Sequence, residues 1–340
     1  MVRRVGLLPA LMAAAAASWA APYVAYVGNT PVHSASPEAK VMVVDLAGGT
    51  PVNASEGLSS ARNPAWSPDG SRLAFEAVGE GLCDIFVCKA DGTERVNVTA
   101  TPEEWESAPC FVDASRVAYL SGPDRAEIWI ADLTTGAKQR VSATQRFWKQ
   151  PTASPDGKLL AVTGADKLSG PGDIFLVASD GSGERNLTNA PGLYSRPCFT
   201  PDGKSLVFAY DAKEIGGVIR GLAIMPVEGG EPKLLAPQAY PLAPVSVSAD
   251  GTKVAYATAE AYHNTWVSVL DLATGTSTRL DVQSFHVISW PSFSPDGKTV
   301  AFQGVYAATF GAYVVELATG KMTRVTPGGE TGVNPVYSPK

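Results

Sequence analysis

Histidine appears three times and cysteine four times in 340 residues, and 27 basic side chains are outnumbered by 33 acidic ones. Each shortage removes a class of protein. A formal charge of −6 argues against nucleic acid, whose binding needs a basic face. Beyond the first twenty residues no stretch approaches the ~20 consecutive apolar residues of a membrane-spanning helix, so no membrane insertion is expected. The cysteines do not spell out a disulfide framework. Cys83 and Cys88, if they share one extended strand, lie ~16 Å apart, beyond the ~7 Å that a bridge spans. Two readings of the thiols stay open: small apolar core residues, or a single bridge such as Cys88 to Cys110. The histidines, His33, His263 and His286, show no metal-ligand spacing.

The chain opens with Arg3 and Arg4, a short apolar run from Leu7 to Ala17, and the small-x-small triplet Ser18-Trp19-Ala20. This is the pattern of a Sec-type signal peptide over residues 1–20 with cleavage near Ala20. It predicts a periplasmic or secreted mature chain, 21–340. Arg3 and Arg4 are the only charged residues of that leader, so its removal takes the charge from −6 to −8. No linker-like break in composition divides the remainder, and one domain is expected.

What the sequence has in abundance is one phrase. Asn63 to Gly70 reads Asn-Pro-Ala-Trp-Ser-Pro-Asp-Gly, and variants recur at Ala108–Ser115, Gln150–Gly157, Arg196–Gly203, Val245–Gly251, Trp290–Gly297 and, cut short, Asn334–Lys340. A period of roughly 42 to 48 residues marks a solenoid or propeller. After each Ser-Pro-Asp-Gly turn come two apolar runs, such as Leu73-Ala74-Phe75 and Asp84-Ile85-Phe86-Val87, then a short fourth run. Four antiparallel strands per repeat make a propeller blade. The first repeat lacks its first strand and the last consists of little else. The prediction is therefore an all-β, seven-bladed propeller whose ring is closed by the C-terminal strand joining the three N-terminal ones, leaving no open sheet edge.

The phrase around Trp66 and the run Asp180–Thr188, Asp-Gly-Ser-Gly-Glu-Arg-Asn-Leu-Thr, resemble the repeat of the TolB-type propellers. These WD-like repeats also occur in prolyl-oligopeptidase-type peptidases and oligogalacturonate lyases. The resemblance covers about Tyr23 to Lys340 and implies the fold and a cell-envelope setting. It implies no chemistry. TolB has an α/β domain before its propeller, for which this sequence has no room. The peptidases need a hydrolase domain with a Gly-x-Ser-x-Gly elbow, a motif missing here. The lyases hold a metal through histidine and glutamine in a pattern that does not align with this chain.

Strand alternation puts the loops between second and third strands, and those between blades, on one face. Loops on a rigid scaffold are where binding residues concentrate. On that face Trp105, Trp148, Tyr194, Arg196, Trp290 and Tyr306 are the expected ligand contacts. The leading expectation is a monomeric, non-catalytic binding or scaffold module, without a cofactor, for a protein segment or glycan of the cell envelope. The alternative is a metal-assisted polysaccharide lyase with its site at the propeller mouth. In that reading His33, His263 and His286 would hold a divalent metal, or His263 or His286 would act as base. Tyr262 would donate a proton, and Arg196 or Arg220 would neutralise a uronate carboxylate. The acidic stretch Glu103, Glu104 and Glu106 is expected to be a solvated face. The sequons at Asn53, Asn97 and Asn186 are read as fourth-strand pattern rather than glycosylation signals.

Overall fold

Short runs of β-branched and aromatic residues between turn residues favour strands that stay half-buried on both faces. The computed structural model describes residues 23–28, 38–168, 172–189, 193–214, 217–237, 244–261, 264–280, 288–306, 309–328 and 330–339. Among them the chain forms seven four-stranded antiparallel sheets and no helix. Blade 2 shows the order: Ser59–Trp66, Arg72–Val78, Cys83–Lys89 and Val96–Asn97. Blade 1 joins Tyr23–Gly28, Lys40–Asp45 and Val52–Asn53 to the chain's last strand, Gly332–Tyr337. The proposed leader lies outside the described residues.

The ring closes through antiparallel pairs such as Val24 with Tyr337 and Val27 with Val333. The Ser338 amide donates to the Tyr23 carbonyl (2.8 Å), and the Tyr23 amide donates to Ser338 Oγ (3.0 Å). Trp66 Nε1 donates to the Val336 carbonyl at 3.1 Å, tying blade 2 to the closing strand. The first strands of the blades are Gly332–Tyr337, Ser59–Trp66, Glu106–Phe111, Phe147–Ala153, Leu193–Phe199, Ser246–Val247 and Ile288–Phe293. Each touches the next around the ring, and together they wall the central channel. The core lies between blades, where Leu73, Phe75, Ile85, Leu160, Ile174, Leu206 and Phe208 are fully buried. Each such side chain contributes roughly 1.5–3 kcal/mol.

The repeated turn is held by its own side chains. Ser67 Oγ donates to Asp69 Oδ1 (2.6 Å) and accepts from the Arg72 amide (2.9 Å), while Gly70, at φ 69°, supplies the left-handed position. The same serine- or threonine-to-aspartate bond recurs at Ser154–Asp156, Thr200–Asp202, Ser248–Asp250 and Ser294–Asp296. Two of the sequons form a second device. Asn97 Nδ2 and Thr99 Oγ1 donate to the two oxygens of Asp84, both at 2.9 Å, and Thr99 Oγ1 accepts the Ile85 amide. Asn186 and Thr188 hold Asp173 in the same way. Here asparagine and threonine staple the fourth strand to the third.

All four cysteines are free. Burial pushes the thiols of Cys83, Cys88 and Cys110 up to about 12, so they behave as inert apolar side chains.

Candidate functional site

Among the described residues, six first strands share one irregularity. The residue before the proline has a left-handed backbone: Asn63 (φ 52°), Ala108 (51°), Gln150 (48°), Arg196 (59°), Trp290 (56°) and Asn334 (52°). The pairing register slips at the same place, as between Ser107 and Cys110 or Ser195 and Cys198. This is a β-bulge, which re-aims a side chain and frees a backbone amide from the ladder. Among the described residues the preceding blade takes up that amide at three junctions. Ala108 N donates to Glu76 Oε2 (2.6 Å), Arg196 N to Thr163 Oγ1 (3.3 Å), and Asn334 N to Gln303 Oε1 (3.2 Å). Glu76, Thr163 and Gln303 are equivalent positions in the second strands.

The bulges give the channel wall a varied chemistry on a uniform frame. Lys149 and Gln150 are exposed, while Asn63, Arg196, Trp290 and Asn334 are half-buried. Arg62, beside the first bulge, is ion-paired with buried Glu76.

Several expected contacts lie elsewhere. Trp148 is 5% exposed and packs edge-on against Phe175 with ring centroids 5.2 Å apart. It lies over Gly164, where an added Cβ would fall 2.7 Å from Trp148 Cε3. The Arg146 guanidinium, ion-paired with Asp166, sits 4.7 Å from the Phe175 ring. Tyr194 is 2% exposed, packed against Phe208 and Tyr210. Both side chains therefore belong to the core between blades rather than to an open mouth, because each stands two residues before its bulge, on the strand face turned to the neighbouring blade. Trp105 is half-buried, its carbonyl accepting the Gly122 amide at 2.9 Å. Trp290 and Arg196 stand at the bulges of their first strands and are half-buried. Tyr306 and Arg220 lie in described strands, but their side chains are outside the description. His33, Tyr262, His263 and His286 lie outside the described residues. Among the described residues no group of three or more His, Cys, Asp or Glu is arranged to hold a metal ion.

The position two before the bulge also corrects the reading of Glu106. It is occupied by Ala61, Glu106, Trp148, Tyr194 and Gly332 in five blades, and all five are buried. Glu103 and Glu104 are exposed as expected of a solvated face, but Glu106 is 1% exposed. Its Oε1 accepts the Thr101 hydroxyl, and its Oε2 makes no hydrogen bond of normal geometry. Burial raises its carboxyl to about 7, opposed by the Thr101 and Thr99 hydroxyls and aided by the charge and hydrogen bonding of Asp84. A cleft of about 480 Å³ adjoins it, lined by blade 3 and by the segments that connect blade 3 to blades 2 and 4. Aligning the repeats exposes the signal: a carboxylate stands where other blades bury tryptophan or tyrosine.

Residues 90–218 match the family described as TolB beta propeller domain. The protein TolB homolog of Chlorobium luteolum is 28% identical over 144 residues, 41% of this chain. That match spans 31% of the homolog's own length. Among solved structures, TolB from Acinetobacter baumannii is similar over 94% of this chain and 67% of its own, with a TM-score of 0.58 and 19% identity. An oligogalacturonate lyase in complex with manganese is similar over 82% of this chain and 83% of its own, with a TM-score of 0.66 and 17% identity. At such identities the structural likeness is one of fold alone. The molecule is thus a seven-bladed β-propeller, and the TolB-type match is to its residues 90–218.

Proposed function

We propose that this protein is a non-catalytic binding module of the cell envelope, which holds an extended protein segment at the mouth of its channel. The observation that carries the reading is the ring of bulges. Left-handed backbone at a non-glycine residue costs about 1–2 kcal/mol, and such strain collects where side chains are aimed at a partner. Here it recurs on a closed wall whose side chains differ from blade to blade: Asn63, Gln150, Arg196, Trp290 and Asn334. Amides and a guanidinium suit the carbonyls of an extended chain, and Trp290 supplies an apolar anchor of the kind that dominates protein interfaces. The TolB-type repeat supports a cell-envelope setting, and the leader-like residues 1–20 support export to the periplasm or beyond.

The test is a photo-reactive side chain placed at Gln150 or Asn334 in the full-length protein, expressed in its own host, with Thr135 on the hairpin face as control. Protein crosslinks at the channel positions and none at Thr135 support the reading. No protein crosslink at either channel position, together with release of unsaturated uronides from polygalacturonate, would replace it with the lyase alternative.

A further inference from the structure

Glu106 and the cleft beside it are not explained by a channel that binds a peptide. In the blade-to-blade alignment Trp148 and Tyr194 fill the equivalent space with aromatic rings, and Ala61 and Gly332 leave nothing polar there. Only this junction, among those described, puts a carboxylate at this position of the first strand, and its Oε2 makes no hydrogen bond of normal geometry, with Thr99 and Asp84 as its polar neighbours. A buried acceptor in that state forfeits stability unless something supplies a donor. A rule broken locally without compensation in the fold is a mark of a functional position.

The cleft has the volume of a small-molecule site, about 480 Å³ against the usual range of roughly 300–1,000 Å³. Glu106 and Tyr119 are its most buried lining residues, Thr101 and Glu104 come from the segment that leads into blade 3, and Trp129 comes from the third strand of the blade. The indole is held in place: Trp129 Nε1 donates to Glu127 Oε2 at 3.1 Å, and Glu127 is in turn fixed by Arg140 (2.7 Å) and Gln145 (3.0 Å). The charges around the space balance. Glu104, Glu106 and Glu127 face Arg125, Lys138 and, behind Glu127, Arg140. Lys138 Nζ donates to the Thr99 carbonyl, and Arg125 Nη2 donates to that of Gln145. An anion would meet the carboxylates, and a cation would meet Lys138 and Arg125. An uncharged molecule bearing hydroxyl groups can use both sets, with its ring lying against the indole.

We propose that the cleft on blade 3 is a second binding site, separate from the channel, for a neutral sugar residue. Trp129 is its stacking wall and Glu106 its buried hydrogen-bond acceptor. The terminal carboxyl torsion of glutamate is soft, so a small rotation turns Oε2 toward a hydroxyl entering from the cleft. The groups that face Glu106 are Asp84 and Cys83 from blade 2, Glu104 from the connecting segment, and Tyr119 and Lys138 from blade 3.

The test uses the full chain and saturation-transfer NMR with glucose, N-acetylglucosamine and their β-linked disaccharides, alongside glucuronate and methylammonium as charged probes. A neutral sugar should bind, and Trp129→Ala should weaken it by about tenfold or more. Glu106→Leu should abolish binding and Glu106→Gln should retain it. Affinity in the parent should rise from pH 6 to pH 8, as Glu106 ionises and becomes the better acceptor, and should be flat in Glu106→Gln. Melting curves establish that each variant folds, and Trp290→Ala, at its bulge, should leave sugar binding unchanged. No transfer to any neutral sugar, preference for a charged probe, or loss of binding in Trp290→Ala with Trp129→Ala unaffected would each overturn the proposal.

Discussion

The amide of Ala108 donates to Oε2 of Glu76 at 2.6 Å, across the junction between blades 2 and 3. Glu76 is 1% exposed, and its other oxygen holds the Arg62 guanidinium. One carboxylate thus serves a bulge amide of the next blade and a channel-side cation of its own. Truncation leaves a buried N–H without an acceptor, at about 1–3 kcal/mol, and strands Arg62. Glu76→Ala should therefore lower stability by about 2–4 kcal/mol in denaturant unfolding, with Glu76→Gln closer to the parent because an acceptor oxygen survives. Equal stability of parent and Glu76→Ala would show that the bulge amide needs no such partner.

Trp148 and Gly164 form a matched pair. Gly164→Ala would drive a methyl into the indole, and Trp148→Ala would empty the space, at roughly 3–5 kcal/mol for a buried tryptophan. Both variants should melt well below the parent. Trp290→Ala, at its bulge, should melt close to the parent yet lose crosslinks at Gln150. A melting temperature for Trp148→Ala equal to the parent's would return Trp148 to the list of surface contacts.

Glu106 makes stability fall as pH rises. Its carboxyl is raised to about 7 by burial, against about 4.3 in an unfolded chain. The unfolded state therefore releases the proton first. The group's contribution is fully present below about pH 4.3 and is lost as pH climbs to about 7. Glu106→Gln should flatten that part of the melting-temperature profile and be the more stable protein at pH 8.

The turn aspartates act in the opposite sense. The Ser248 hydroxyl, the Thr252 amide and the Thr252 hydroxyl hold Asp250 down to about 2. Its contribution is present above about pH 3.9 and is lost as pH falls toward about 2. Asp156 and Asp296 are lowered by equivalent bonds to Ser154 and Ser294. Replacing all three by asparagine should shrink the acid-induced drop in melting temperature below pH 4. An unchanged acid limb would place the loss in other carboxylates.

Removing residues 332–340 takes away the first strand of blade 1 and the acceptor for Trp66 Nε1. It also opens the ring at Tyr23–Gly28, whose edge the closing strand covers. The truncated chain should lose several kcal/mol, of the order of a few buried apolar side chains, and should associate on size-exclusion chromatography. A truncated chain that melts and elutes like the parent would show that the shared blade does not hold the ring.

The architecture was legible in the sequence because each repeat carries its own local chemistry. The Ser-Pro-Asp-Gly turn needs only residues within five positions of one another, and the staple of Asp84 by Asn97 and Thr99 completes itself inside one blade. Periodicity then counts the blades, and the incomplete ends show how the ring closes. Which of the expected contact residues turn into the core was settled only in three dimensions. A bulge shifts the strand's alternation by one residue, so Trp148 and Tyr194 turn into the core while Trp290 and Arg196, at the bulge itself, stay half-buried. Glu106 reads in sequence as one more acid in an exposed stretch. Burial and the lack of a normal hydrogen bond at its Oε2 come from the neighbouring blade, and that neighbour is supplied by the packing of repeats rather than by any one of them.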